Sequence, residues 1–156
     1  MKRKTTELLM LLALLAATEA VGFVASLVTV PNILVWFEGL NKPGFNPPNW
    51  IFAPVWTALY VLMAIAAWRV WRKAGPRPLR LYALQLVLNG AWSFIFFGAH
   101  ALGAALAEIV VLLALVLATM GSFWSKDRIA GLLFLPYAGW VLFAGWLNAA
   151  IWRLNG

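Results

Sequence analysis

The chain has 156 residues, 64% of them apolar and 11% charged, with a mean hydropathy of +0.87. A soluble domain is about 45–50% apolar and about 25% charged, so a single small soluble core cannot hide this much apolar surface. Five spanning helices of roughly 20 residues would take about 100 residues and leave only short loops, which excludes a soluble catalytic domain, a Rossmann unit or a DNA-binding module. The net charge of +7, from 12 Lys and Arg against 5 Asp and Glu, then reads as membrane-flanking charge rather than as a nucleic-acid footprint. With no cysteine and a single histidine, His100, there is no disulfide, no thiolate or imidazole metal set and no thiol nucleophile.

The N-terminus, Met1-Lys2-Arg3-Lys4 followed by an apolar run and small residues near Ala20, mimics a signal peptide. The run continues to Val30, long enough to span, which favours a retained first helix over about residues 6–30. Pro31 and Asn32 are expected to end it. A loop follows over 31–48, punctuated by Lys42-Pro43-Gly44 and Asn46-Pro47-Pro48. The paired prolines announce a second helix over about 49–71, with Pro54 expected to bend its start. After the basic turn Arg72–Pro78, a third helix is expected over about 79–97, a fourth over 101–123 and a fifth over 129–152 with Pro136 inside it. The turn Gly98-Ala99-His100 is so short that the third and fourth helices must be antiparallel neighbours. The expected fold is an all-α integral membrane protein: one domain, residues 1–156, a bundle of five transmembrane helices in the lipid bilayer.

With five spans, ten basic residues share the side of the N-terminus: Lys2, Arg3, Lys4, Arg69, Arg72, Lys73, Arg77, Arg80, Lys126 and Arg128. The other side holds Lys42 and Arg153. The positive-inside rule places the N-terminus and the basic loops in the cytoplasm.

Three helices carry inward faces. Phe52, Trp56, Tyr60 and Met63 form one stripe, Gln85, Asn89, Trp92 and Phe96 a second, and Trp140, Ala144, Leu147/Asn148 and Ile151 a third. Lipid offers no partner to Gln85, Asn89 or Asn148, so these faces turn inward. They serve either core packing with interhelical amide bonds or an aromatic-walled pocket for a flat, largely apolar ligand. Trp36, Trp50, Trp71, Trp124 and Trp152 lie near helix ends and read as interface-belt residues. Glu19 and Glu108 fall inside predicted spans; such a carboxyl faces a cavity, carries a proton, or is protonated and bonded to a neighbour. His100 reads as a solvated loop side chain. Small residues at Gly90, Ala91, Gly98, Gly103, Ala104 and Ala107 permit close helix approach or a dimer face. No catalytic arrangement stands out.

The segment Trp36 to Trp50 (WFEGLNKPGFNPPNW), with Pro54, Trp56, Leu59 and Tyr60, resembles the first loop and second helix of the translocator protein / tryptophan-rich sensory protein family, the peripheral benzodiazepine receptor family. Leu88-Asn89-Gly90-Ala91-Trp92-Ser93 with Phe96-Phe97 resembles its third helix. Leu135-Pro136-Tyr137, Trp140, Phe143-Ala144 and Leu147-Asn148 resemble its fifth. The resemblance implies a five-helix membrane bundle, often a homodimer, that binds porphyrins such as protoporphyrin IX and benzodiazepine- or isoquinoline-type ligands, with no required cofactor and no metal site. Its pocket falls on Phe52, Ala53, Val55, Trp56, Tyr60, Asn89, Trp92, Phe97, Ala107, Val111, Trp140, Ala144 and Leu147. Trp36, Lys42, Pro43, Asn46, Pro47 and Pro48 belong to the loop that would lid it. Phe97 sits one position off the stripe read from spacing.

Two departures point to a bacterial-type member. Ala149 and Ala150 stand where a sterol motif needs tyrosine, which counts against sterol binding, and Asn46 replaces a loop histidine of the animal proteins. Ala104 also stands where the animal proteins place a pocket tryptophan, which is expected to open that wall. The expected function is tetrapyrrole binding in sensing or transport. The alternatives are light- and oxygen-dependent porphyrin breakdown, for which the resemblance assigns Trp56 and Trp140, and proton-coupled export through Glu19 or Glu108. A purely structural role is opposed by the inward amides.

Overall fold

A computed structural model describes residues 2–156, with side chains from Arg3 onward; Met1 and the Lys2 side chain of the basic N-terminus lie outside the described residues. The regular elements among the described residues are all helical, with helices α1 (Lys2–Val35), α2 (Phe52–Ala74), α3 (Leu79–Ser93), α4 (Leu102–Lys126) and α5 (Arg128–Asn155). Each of the five spans is long and apolar enough to cross a bilayer, α3 together with the turn that follows it. Leu12, Leu27, Val87, Val110, Leu117 and Leu142 cover the outer surface, where lipid is their solvent.

Helix ends depart from the sequence expectation at two informative places. Pro31 and Asn32 do not end α1, which runs on to Val35. A proline nitrogen has no proton to donate and its ring crowds the preceding turn. The bond it forgoes is to the Leu27 carbonyl; one residue on, the Asn32 side-chain amide donates to the Val28 carbonyl at 2.8 Å and adds a bond to the disturbed turn. A membrane helix tolerates proline where neighbouring side chains support the turn in this way. The second departure is at the end of α3, where Phe94–Gly98 forms a π turn rather than more α-helix. Its wider spacing is seen in the bond from Ala99 N–H to the Phe94 carbonyl, 2.8 Å. Elsewhere α2, α4 and α5 extend to Ala74, Lys126 and Asn155, each three residues past expectation. Asn49–Ile51 is a 3-10 turn that leads into α2. Pro54 occupies the first turn of α2, where its missing donor is not needed.

The helices close a ring in the order α1, α2, α5, α4, α3 and back to α1. α4 presents Leu102, Ala105, Ile109, Leu112, Val116, Thr119 and Phe123 inward, a stripe spaced alternately three and four. The half of the bundle at the basic end is solid: Met63, Ala66, Ala67 and Val70 of α2 meet Tyr82, Phe123 and Phe134. The glycines expected to permit close helix approach or a dimer face do the first within the chain. A Cβ on Gly90 would stand 3.3 Å from Val21, one on Gly98 3.1 Å from Val28, and one on Gly103 3.0 Å from Trp152. The tightest backbone approach is at Gly131, where a Cβ would lie 2.9 Å from the Trp124 Cα.

Charged groups lock the basic end. Glu7 of α1 pairs with Arg72 of α2 at 3.0 Å and with Arg3 at 3.1 Å, and its carbonyl accepts from the Trp68 indole. Asp127, buried between α4 and α5, caps α5 by accepting from Ile129 N–H at 2.9 Å. It also pairs with Arg69 at 3.0 Å and Lys73 at 3.1 Å, both from α2. Burial alone would raise its pKa, but the Lys73 bond, the Ile129 and Ala130 N–H groups and the Arg69 charge outweigh it and hold the pKa below the ordinary value.

Two outcomes follow for the purified protein in mild detergent. Gly131→Ala destabilises the fold by about 1–3 kcal/mol, because the neighbouring helix backbone must move; Gly121→Ala, with nothing within 4 Å of its Cβ, leaves the thermal midpoint unchanged or slightly raised. Asp127→Ala costs about 2 kcal/mol, from one lost cap and partly exposed ion pairs, and Asp127→Asn about half of that. Because the folded pKa is lowered, the charge contribution is complete above about pH 5 and fades as pH falls below about 4. The gap between wild type and Asp127→Asn, followed by circular dichroism, therefore closes on acidification.

Candidate functional site

Where the basic half is solid, the opposite half is hollow. A cavity of about 470 Å³ lies among α1, α2, α3 and α5. Phe52, Trp56 and Tyr60 descend one wall; Asn89, Trp92, Phe96 and Phe97 form a second; Trp140, Ala144, Leu147, Asn148 and Ile151 form a third. The three stripes read from spacing thus converge, apart from Met63 and Gln85, which sit deeper in the core. Phe96 and Phe97 both reach the cavity because the π turn advances five residues where an α-turn advances about four. That accounts for the one-position offset at Phe97. Trp56 and Trp140 are perpendicular neighbours with centroids 6.5 Å apart. Trp92 stacks on Phe96 at 4.8 Å.

Beneath the cavity, a chain of hydrogen bonds joins three helices. The Tyr60 hydroxyl donates to Asn89 Oδ1 at 2.6 Å, Asn89 Nδ2 donates to the Tyr137 hydroxyl at 3.0 Å, and that hydroxyl donates to Gln85 Oε1 at 2.7 Å. All four side chains are buried. A second junction is Asn148, which accepts from Trp92 Nε1 at 3.2 Å and donates to the Leu102 carbonyl at 2.9 Å. The wall hydroxyls of Ser26, Thr29 and Thr57 donate to carbonyls of their own helices. Two polar atoms at the cavity are left buried and unpartnered, Glu19 Oε1 and Trp140 Nε1.

Several predicted site residues are placed elsewhere. Ala107 and Val111 lie on the outward face of α4, two positions beyond the inward Ala105 and Ile109, and α4 contributes nothing to the cavity lining. Ala104 is likewise outward and opens no wall. Val55, next to the Phe52/Trp56 stripe but not on it, packs against the core. Ala53 does line the cavity.

The 31–48 loop does not close over the cavity with the expected residues: only its flanks, Ile33, Phe37 and Asn49, line it, whereas Trp36, Lys42, Pro43, Asn46, Pro47 and Pro48 do not. Lys42 instead donates to the carbonyls of Phe37, Glu38 and Leu40 at 2.8–3.0 Å, pinning the turn after α1. Asn41 and Asn155 exchange two bonds, which fastens the loop to the end of α5. Trp36 stacks on His100 at 4.1 Å, and His100, exposed and at φ 55°, also bonds Asn32 at 3.0 Å.

The sequence reading missed the α1 wall: Glu19, Gly22, Ser26, Thr29 and Ile33 all face the cavity. Their spacing of three, four, three and four was a legible signal. Gly22 is required there because the Tyr60 ring rests against its Cα, and any Cβ would collide with it. Tyr137, the hub of the hydrogen-bond chain, sits three residues before Trp140 on the same face. Glu108 is not among the cavity-lining residues, and both its carboxyl oxygens are buried and unpartnered.

Comparison with known proteins agrees with this architecture. The protein shares 40% identity over 151 residues with the tryptophan-rich protein TspO of Archaeoglobus fulgidus, covering 95% of this chain and 98% of that one. It is 43% identical over 125 residues to protein CrtK of Rhodobacter capsulatus, covering 77% of this chain and 78% of that one. It is 38% identical over 140 residues to the translocator protein of Sus scrofa, covering 86% and 83%. The TspO/MBR family model matches residues 13–153. With five spanning helices and these relatives, the chain is a multi-pass membrane protein that belongs to the TspO/MBR family.

Proposed function

We propose that this protein binds a tetrapyrrole of the protoporphyrin IX type in the α1/α2/α3/α5 cavity and acts in its sensing or transport. The observation that carries the reading is the cavity itself: about 470 Å³ bordered by Trp56, Trp92, Trp140 and Phe52, with its amides already bonded to the protein. Such a wall recognises a flat apolar ring by stacking and area burial and makes few directional demands. The same chemistry suits benzodiazepine- and isoquinoline-type ligands. The tetrapyrrole serves as ligand, and no further cofactor is invoked. The charge asymmetry supports an N-terminus in the cytoplasm, which puts the hollow end on the far side.

A second reading is light-dependent porphyrin breakdown. It is favoured by one feature, the contact of the Trp56 and Trp140 rings at the cavity, which offers two oxidisable indoles beside one ligand.

A dark titration of the detergent-purified protein with protoporphyrin IX, followed by tryptophan emission and porphyrin absorbance, tests the first reading. Saturable binding is expected, weakened about three- to tenfold in Trp140→Phe and in Trp56→Phe, since each loses stacking area worth about 1 kcal/mol. Absence of saturable binding at micromolar porphyrin removes the tetrapyrrole assignment. Illumination of the same complex then tests the second reading: bleaching of the porphyrin that both variants lack supports turnover, and an unchanged spectrum removes it.

A further inference from the structure

The electrostatics of the cavity are one-sided. Among the described lining residues, Glu19 is the one charged group; no Lys, Arg or His borders the space. The nearest loop cation, Lys42, is committed to three backbone carbonyls. Glu19 projects from α1 one turn before Gly22, against which Tyr60 packs. Its Oε1 is buried and has no hydrogen-bond partner. The neighbouring Thr18 is already bonded to Tyr82 at 2.5 Å and offers it nothing. The rings that share the cavity, Trp56, Trp92, Trp140 and Phe52 among them, carry negative π faces that attract cations. An unpartnered carboxyl in a low-dielectric site ionises at low cost only when a cation arrives to pair with it, so the site favours a positively charged ligand over a neutral or negative one.

The geometry points to a cavity selective for flat aromatic ligands that carry a cationic nitrogen, with Glu19 as the charge partner and the tryptophans as the cage. The inference rests on reading this cavity as a ligand site, but not on the ligand being a tetrapyrrole. It adds a constraint to that assignment: the carboxylate side chains of a porphyrin have no partner inside and must stay at the mouth, leaving the ring and its N–H groups to the interior. The unpartnered Trp140 indole N–H supplies a complementary donor for an acceptor on the ligand. Glu108, equally unpartnered but outside the lining, has no part in this selection.

Three acridines of the same ring size test it on the full chain in zwitterionic nanodiscs, by equilibrium dialysis at neutral pH: cationic 9-aminoacridine, uncharged acridine and anionic acridine-9-carboxylate. Wild type is expected to bind the cation at least about tenfold more tightly than acridine, and the anion at least about tenfold more weakly. Glu19→Gln should bring the cation-to-neutral ratio to within about twofold while acridine affinity holds, whereas Glu108→Gln leaves the ratio intact. A merely structural Glu19 would move both affinities together, and that result overturns the proposal. So does a ratio near one in wild type, a preference that survives Glu19→Gln, or no binding of any acridine. If Glu19→Gln aggregates, the order cation, neutral, anion on wild type and its retention in Glu19→Asp decide the matter. Porphyrin binding without an acridine preference sinks this inference and spares the tetrapyrrole reading; the preference without porphyrin binding does the opposite.

Discussion

In a bilayer interior every polar group must find its partner within the protein, and the structure is organised around how α2, α3 and α5 meet that demand. Tyr60, Asn89, Tyr137 and Gln85 answer one another in sequence. Apolar side chains gain little by leaving lipid for a helix interface, so burial alone sets no register among these helices. The hydrogen bonds do. Once Asn89 is held between Tyr60 and Tyr137, the faces carrying Trp56, Trp92 and Trp140 are turned to one space. The same side chains that satisfy the membrane interior therefore also define where the cavity lies.

The π turn at the end of α3 extends that logic to the cavity rim. In a continuous α-helix, Phe96 and Phe97 would point about 100° apart, and only one could join Trp92. The extra residue in the turn lets both contribute, with Phe37 from the loop flank packed against them at 5.7–6.2 Å. The Asn148 amide fixes the far side by holding the Trp92 indole and the first carbonyl of α4. Wall and rim are thus positioned by a small number of directional bonds, set into otherwise interchangeable apolar packing.

These bonds also explain what was legible in the sequence. The five spans follow from apolar length. The stripes on α3 and α5 follow from spacing combined with amides that lipid cannot satisfy, while the α2 stripe rested on aromatic spacing. The amides of α3 and α5 were the polar markers that betrayed the inward side. α1 carried such a marker as well, Glu19, but its wall is otherwise built from small and weakly polar residues, Gly22, Ser26 and Thr29. Their hydroxyls are absorbed by their own helix, so nothing in composition forces that face inward. The errors have comparable causes. Ala107 and Val111 came from the family resemblance rather than from spacing, and in this chain packing against α3 and α5 turns Leu102, Ala105 and Ile109 inward instead. Pro31 was read as a terminator because a proline breaks a helix in water; in the membrane the Asn32 side chain bonds the Val28 carbonyl one turn back and the helix continues.

The two ends of the bundle divide the work of stability and binding. At the basic end, Asp127 and Glu7 draw Arg69, Lys73 and Arg72 of α2 onto neighbouring helices, above a core that leaves no space. At the other end α1, α2, α3 and α5 touch at their edges and line the cavity between them, and the loop is tied down at Lys42 and Asn41 without filling it. A bundle hollow along its whole length would lose packing everywhere. Confining the void to one half keeps the helix register set at the solid end. That arrangement also leaves Glu19 where it is: the solid half fixes α1 through Glu7, and the carboxyl a little over three turns further on enters the space without a partner.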